Sequence, residues 1–297
     1  MRRDSFSSFH PAVNFVYFAA VLAFAMLFMH PVLQIISFCS AASYSILLNR
    51  RRAVRFLLLY MLPLWFATAL MNPAFNHAGV TILFYLHSGN PVTLESILYG
   101  AAAGFMFVTV LIWFSCYNAV MTSDKFVYLF GRLMPALSLM LSMALRFVPR
   151  YRSQLAVISK AQRGIGRDMT QGHLLQRARN GLTMVSILTT WALENAIETA
   201  DSMKSRGYGL PGRSSFSLFR FDSRDKITGL FMAVLLLVMA AGAAAGRTRI
   251  RFFPSVKTPE TDGVSIILYA AYAVFCLLPV CIQLAEERKW KSIQSKM

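Results

Sequence analysis

ILYGAAAGFMFVTVLIWFSCYNAVM, residues 97–121, contains no Asp, Glu, Lys or Arg. A helix needs about 20 mostly apolar residues to cross a bilayer, and this stretch exceeds that length. Working outward, residues 13–29, 31–48, 56–71, 227–245 and 264–284 are also apolar runs. The first two are joined only by His30 and Pro31, which fits a tight hairpin or a partly re-entrant segment. About six spans are therefore expected, and the fold class is all-α: a polytopic membrane protein. Arg2 and Arg3 ahead of the first run resemble a signal peptide. No small-residue cleavage site follows, so the run is expected to be retained as the first membrane segment.

Composition agrees. Of the 297 residues, 56% are hydrophobic and 14% charged, and the mean hydropathy is +0.51. Soluble domains carry about 25% charged residues. The deficit is what a lipid-facing surface produces.

The formal net charge is +17, which suits nucleic acid, an anionic membrane leaflet or an acidic protein. The distribution argues against nucleic acid. Basic residues fall between the apolar runs, the positive-inside pattern. Arg2 and Arg3 put the N-terminus in the cytoplasm, and Arg50, Arg51, Arg52 and Arg55 mark a cytoplasmic turn. Residues 72–96 carry no Lys or Arg and read as external. Arg288, Lys289 and Lys291 put the C-terminus inside. Arg247, Arg249, Arg251 and Lys257 disagree, because alternation puts their loop outside. Either the loop breaks the rule or the span count is off.

Three regions follow: membrane segments over 1–121, cytoplasmic helices over 122–225 and membrane segments over 226–297. The middle region has no clean spanning run. Pro135 suits a helix's first turn, and Leu137, Leu141, Ala144 and Val148 recur at helical spacing. Pro149 is expected to bend or interrupt that helix. Further amphipathic stretches cover about 151–163 and 181–206. In the last, Val185, Leu188, Ala192, Ala196 and Met203 share one face, and Glu194, Glu198 and Asp201 another. Arg146 or Arg150 is the expected basic partner of Glu194 and Glu198. Helices with one apolar and one charged face lie on surfaces or pack against partners.

Two of these helices end alike. Ala161-Gln162-Arg163-Gly164 precedes Ile165-Gly166, and Lys204-Ser205-Arg206-Gly207 precedes Tyr208-Gly209. Ordinary capping explains one such site: Gly ends helices in the left-handed conformation, and a cation suits the last turn. A pair invites more, because a guanidinium at a helix tip can make a bidentate contact with another protein's carboxylate.

On these residues the chain resembles the transmembrane T component of energy-coupling factor transporters, ABC-type importers of vitamins and metal ions. That family carries two Ala-Arg-Gly-like motifs on cytoplasmic coupling helices. The matching context is SDKFVYLFGRLMPALSLMLSMALRFVPR at 123–150 and WALENAIETADSMKSRGYG at 191–209. The sequence departs from the pattern at Gln162 and at Ser205, where the family has no inserted Gln and has Ala. The resemblance implies a non-catalytic scaffold in the cell membrane. It would join two cytoplasmic ABC ATPase subunits to a small substrate-binding membrane subunit. Ala161, Gln162, Arg163, Gly164, Ser205, Arg206 and Gly207 would form its ATPase-coupling motifs.

Other signals point nowhere stronger. Gly207–Gly212 matches G-x-G-x-x-G, but a helix precedes it and a loop continues it, the reverse of a dinucleotide site. No G-x-x-x-x-G-K-[ST] is present, so no P-loop hydrolyses ATP here. Cys39, Cys116, Cys276 and Cys281 lie in or beside apolar runs without a C-x-x-C pair and read as packing residues. His77 and His87 sit near Glu95 in a loop, at a spacing that matches no common ligand set. No metal, cofactor or catalytic residue is expected. Two alternatives remain: a membrane-embedded transferase, for which Glu194, Glu198 and Asp201 are the only carboxylate cluster, and a secondary carrier. The spans carry no central charged residue, which weakens the carrier.

Overall fold

A computed structural model describes residues 4–85, 91–131, 134–167, 172–211, 219–248, 250–255 and 262–294. The described helices are α1 (Pro11–Leu27), α2 (Pro31–Asn49), α3 (Arg51–Phe75), α4 (Leu94–Val120), α5 (Ser123–Gly131), α6 (Pro135–Gly164), α7 (Leu174–Ser205), α8 (Ser223–Ala244) and α9 (Gly263–Gln294). Five of them, α2, α3, α4, α8 and α9, are long and apolar enough to cross a membrane, and α1 is a shorter apolar helix. The chain divides into two units: Met1–Thr122 with Phe219–Met297, and Ser123–Leu218.

In the first unit the six apolar helices alternate direction. Tyr17 on α1 donates to the Cys276 carbonyl at 3.0 Å, and Phe28 meets Tyr272, so α1 and α9 are antiparallel. Tyr44 near the end of α2 donates to Asp4 Oδ2 at 2.8 Å, which returns α2 to the end where α1 begins. Gly104 of α4 faces Trp65 and Thr68, while Gly100 faces Ala69 and Asn72, so α3 and α4 are antiparallel. Arg224 reaches Glu286 at 3.5 Å, and Gly242 abuts Leu268, so α8 and α9 are too. One end thus holds Asp4, Arg50, Arg224 and Glu286. The opposite end holds Asn76, Tyr99, Arg247 and Asp262. Residues 250–255 lie at that second end, where Tyr99 packs on Phe252 and Phe253. Five helices meet the length of a span and α1 is shorter, against the six expected; six alternating helices put residues 250–255 at the end opposite Asp4, where the charge rule does not expect their arginine. Arg247 is paired with Asp262 at 3.4 Å.

The core is aromatic. Tyr17, Phe18, Tyr44, Trp113, Tyr272 and Phe275 are buried. Their polar atoms are paired, as burial away from water requires: Trp113 Nε1 donates to Ser37 Oγ at 3.0 Å. Cys116 and Cys276 pack in this core, whereas Cys39 and Cys281 are exposed, and all four thiols are free. The N-terminal segment folds back over it. Phe6 and Phe9 are buried, and Ser5 N donates to Gln283 Oε1 at 2.7 Å. Burial holds the His10 imidazole below its usual value against the opposing pull of Asp225. A neutral ring is what Ala12 N needs, since it donates to His10 Nδ1 at 3.2 Å to cap α1.

α3 contains a π turn over Leu57–Met61. Pro63 follows it and cannot donate to the Leu59 carbonyl. The widened turn, with Leu62 N bonded to Leu57 O, takes up the mismatch.

The second unit narrows one expectation and corrects another. Of the two outcomes expected at Pro149, interruption is excluded, because α6 is continuous from Pro135 to Gly164. α7 begins at Leu174, ahead of the expected 181. Leu174 and Leu175 are almost fully exposed, so no buried face marks that first turn in the sequence. Two short strands, β1 (Ile82–Tyr85) and β2 (Pro91–Thr93), form an antiparallel ladder that the sequence reading did not foresee.

Candidate coupling site

α6 and α7 must run antiparallel. The connector between them spans residues 165–173 and reaches at most about 32 Å fully extended. A parallel return along a helix of 30 residues would need about 45 Å. The register is fixed near mid-helix. Arg150 Nη2 donates to Asn195 Oδ1 at 2.7 Å, and its guanidinium sits 5.4 Å from the Trp191 ring. Tyr151 meets the same ring edge-on. From that crossing, Arg163 lies about 20 Å along α6 and Arg206 about 17 Å along α7, in opposing directions. The arginine tips therefore occupy opposite sides of the helix pair. Both side chains are exposed.

Each tip is closed by a Schellman motif. Arg167 N bonds to Gln162 O at 2.9 Å and Gly166 N to Arg163 O at 3.0 Å. Tyr208 N bonds to Met203 O and Gly207 N to Lys204 O, both at 3.0 Å. The left-handed residues are Gly166 (φ 77°) and Gly207 (φ 80°). Capping thus explains Gly207 but not Gly164, which is still helical. Relative to the cap, Arg163 sits two residues earlier than Arg206. The sequence resemblance of the motifs does not extend to identical placement on the turn.

The distinction is testable. A β-carbon at Gly164 meets nothing within 4 Å. Gly164→Ala should therefore stabilise the last turn of α6 by about 0.5–1 kcal/mol. Gly166→Ala and Gly207→Ala should each cost about 1–2 kcal/mol, the penalty of a left-handed alanine. Amide exchange over 160–167 and 203–208 reads both effects. Equal losses at Gly164 and Gly166 would contradict this assignment of the cap.

The acidic face differs from expectation. Glu194 and Glu198 are exposed and form no ion pair among the described residues. The reason is competition: Arg150 is taken by Asn195 and Trp191. Arg146, Arg150, Glu198 and Arg206 line one groove between α6 and α7. Gly212 of the G-x-G-x-x-G match lies outside the described residues, as does His87. Glu95 is engaged elsewhere, accepting from Thr81 Oγ1 at 2.9 Å.

Sequence reasoning missed a packing motif. Gly100 and Gly104 are one turn apart in GAAAG, the small-xxx-small pattern of membrane helix contacts. A β-carbon at Gly100 would lie 2.6 Å from the Ala69 carbonyl oxygen, and one at Gly104 2.5 Å from Thr68 Oγ1.

No family model matches the chain. Curated proteins named energy-coupling factor transporter transmembrane protein EcfT do resemble it. The Brevibacillus brevis protein is 36% identical over 104 residues, 35% of this chain and 39% of that protein. The Lactococcus lactis subsp. cremoris protein is 31% identical over 106 residues, 35% of this chain and 40% of its own. The Listeria monocytogenes EcfT 1 is 33% identical over 113 residues, 38% and 41% respectively. The matched stretch thus spans about two fifths of each relative's length.

Proposed function

We propose that this chain is the transmembrane coupling component of an energy-coupling factor importer. The observation that carries the reading is a pair of exposed, arginine-bearing, glycine-capped helix ends. They lie on opposite sides of one antiparallel crossing, in a chain similar to proteins named for that role. Two outward-facing tips suit two ATPase subunits, one at each tip. ATP-driven closure would then move both ends of the α6–α7 pair at once. The exposed apolar residues Leu137, Met140, Leu141, Leu182, Leu193 and Ile197 suit a membrane surface or a small substrate-binding membrane subunit. The chain supplies no chemistry of its own in this reading, and the cargo belongs to the partner.

Orientation follows from charge. The Asp4 end of the first unit carries Arg50, Arg51, Arg52, Arg55, Arg224, Arg288, Lys289 and Lys291, which supports a cytoplasmic assignment. The chain leaves that unit at Thr122 and returns at Phe219. Both termini and the coupling helices would share that side.

The test is affinity purification of the tagged chain from its native membrane. Two ATPase chains and a small membrane protein should accompany it. An isolated chain that moves solute without ATPases would overturn the reading in favour of a carrier. Impermeant labelling of a cysteine placed at Ser153 should fail in intact cells and succeed in inverted vesicles. The opposite pattern would reverse the orientation.

A further inference from the structure

The β1–β2 hairpin has two unlike strands. β2 is seated on the protein, with Val92 and Thr93 buried. β1 is about half exposed along its whole length. Ile82, Leu83, Phe84 and Tyr85 are 47%, 51%, 55% and 65% exposed, although all four are apolar or aromatic. Alternate strand residues point to opposite faces, so both faces of β1 are apolar and both are open. A strand facing water on one side alternates apolar with polar residues, and β1 does not.

The base of the hairpin is fixed. Glu95 accepts from Thr81 N and Thr81 Oγ1, Thr93 Oγ1 donates to Ala78 O at 2.8 Å, and Leu94 N donates to Thr81 O at 3.0 Å. Gly79 (φ 142°) admits this closure, since a β-carbon there would lie 2.6 Å from Glu95 Oε2. The exposed strand is therefore held out rather than hanging loose. Its apolar surface continues that of α3, where Phe66, Leu70, Met71 and Phe75 are exposed on the segment that enters the hairpin. α3 is long and apolar enough to be a membrane span and little of its surface is covered by protein, so this flank is suited to face lipid.

We propose that β1 is a membrane-interface anchor, lying in the headgroup–acyl boundary of the leaflet at the Asn76 end. A protein partner would cover one face or the edge, whereas lipid surrounds both. The hydrocarbon core is excluded, because the outer edge of β1 would leave backbone groups unpaired there. The boundary satisfies both demands: headgroups and water meet the edge, and acyl chains meet the side chains. Tyr85 suits that level, where amphipathic aromatic rings collect. The inference requires only that the chain is embedded in a bilayer and is independent of the coupling reading.

The experiment is site-directed spin labelling of Leu83→Cys and Phe84→Cys in a background lacking the four native cysteines, reconstituted in phosphatidylcholine–phosphatidylglycerol vesicles. Both labels should collide more with oxygen than with a water-soluble nickel complex. Their depth should be about 5–10 Å below the phosphates. Dominant nickel collisions at both sites would place β1 in water and overturn the anchor. So would protection from both reagents at either site, which would mean that protein covers the strand. Unchanged folding of the labelled variants is checked by their retained helical circular dichroism. Changing Leu83 and Phe84 together to Ser should leave ATPase co-purification intact, which separates this idea from the coupling one.

Discussion

The double variant Arg163→Glu, Arg206→Glu should assemble poorly with ATPases and lose cargo uptake, while its membrane unit stays folded. Both arginines are exposed at helix ends, so the core does not depend on them. Removing one half of a desolvated charge pair at an interface costs about 2–5 kcal/mol. That corresponds to about one and a half to three and a half orders of magnitude in affinity for each tip. Because the tips point in opposing directions, a single variant keeps one dock and retains part of its assembly through avidity. Glu should be worse than Ala, since it meets an acidic groove with like charge. Lys should restore only part of the binding, because it lacks the planar fork. The measurement is uptake and ATPase recovery at matched expression. Full uptake and full recovery in the double Glu variant would reduce both arginines to helix ends.

The second large effect concerns the membrane unit itself. Gly100→Leu together with Gly104→Leu should separate α3 from α4. The backbones approach so closely that even a methyl group at either position collides with α3, at Ala69 O and at Thr68 Oγ1. Overfilling a packed contact costs about 1–3 kcal/mol per site, and neighbouring sites couple rather than add. The contact also holds Trp65 Nε1 to Ala101 O at 3.1 Å, a bond that separation would break. The thermal midpoint of the detergent-solubilised protein should fall by about 2–4 °C for each kcal/mol lost. Gly229→Ala on α8 serves as the control, because its β-carbon would meet nothing within 4 Å. A double Leu variant as stable as that control would mean that α3 is not held by this seam.

The membrane architecture was legible because the physics is local. Every backbone group in lipid must be satisfied within the segment, so a run such as 97–121 declares a spanning helix without reference to anything else. Helical spacing made α6 and α7 readable as helices, but not their contact: Leu137, Leu141, Val148 and Val185 are exposed, and Trp191 and Asn195 meet α6 instead. Sequence left open whether Pro149 bends or breaks its helix; the helix runs on, because one missing bond is tolerated when the rest of the ladder continues. The start of α7 was misjudged because Leu174 and Leu175 pack on nothing within their unit.

Arg163 and Arg206 stand out in the sequence, but their arrangement does not. Arg163 and Arg206 look equivalent in a string, where each precedes glycine. Only the folded backbone distinguishes Gly207, which turns left-handed, from Gly164, which stays helical while Gly166 turns. Only the crossing at Arg150, Trp191 and Asn195 sends the two tips to opposite sides, because that register joins residues from two distant segments. The same is true of β1. Its apolar residues were visible from the start, but that both of its faces stay about half exposed is a property of the tertiary structure, since exposure depends on every neighbour the strand has or lacks.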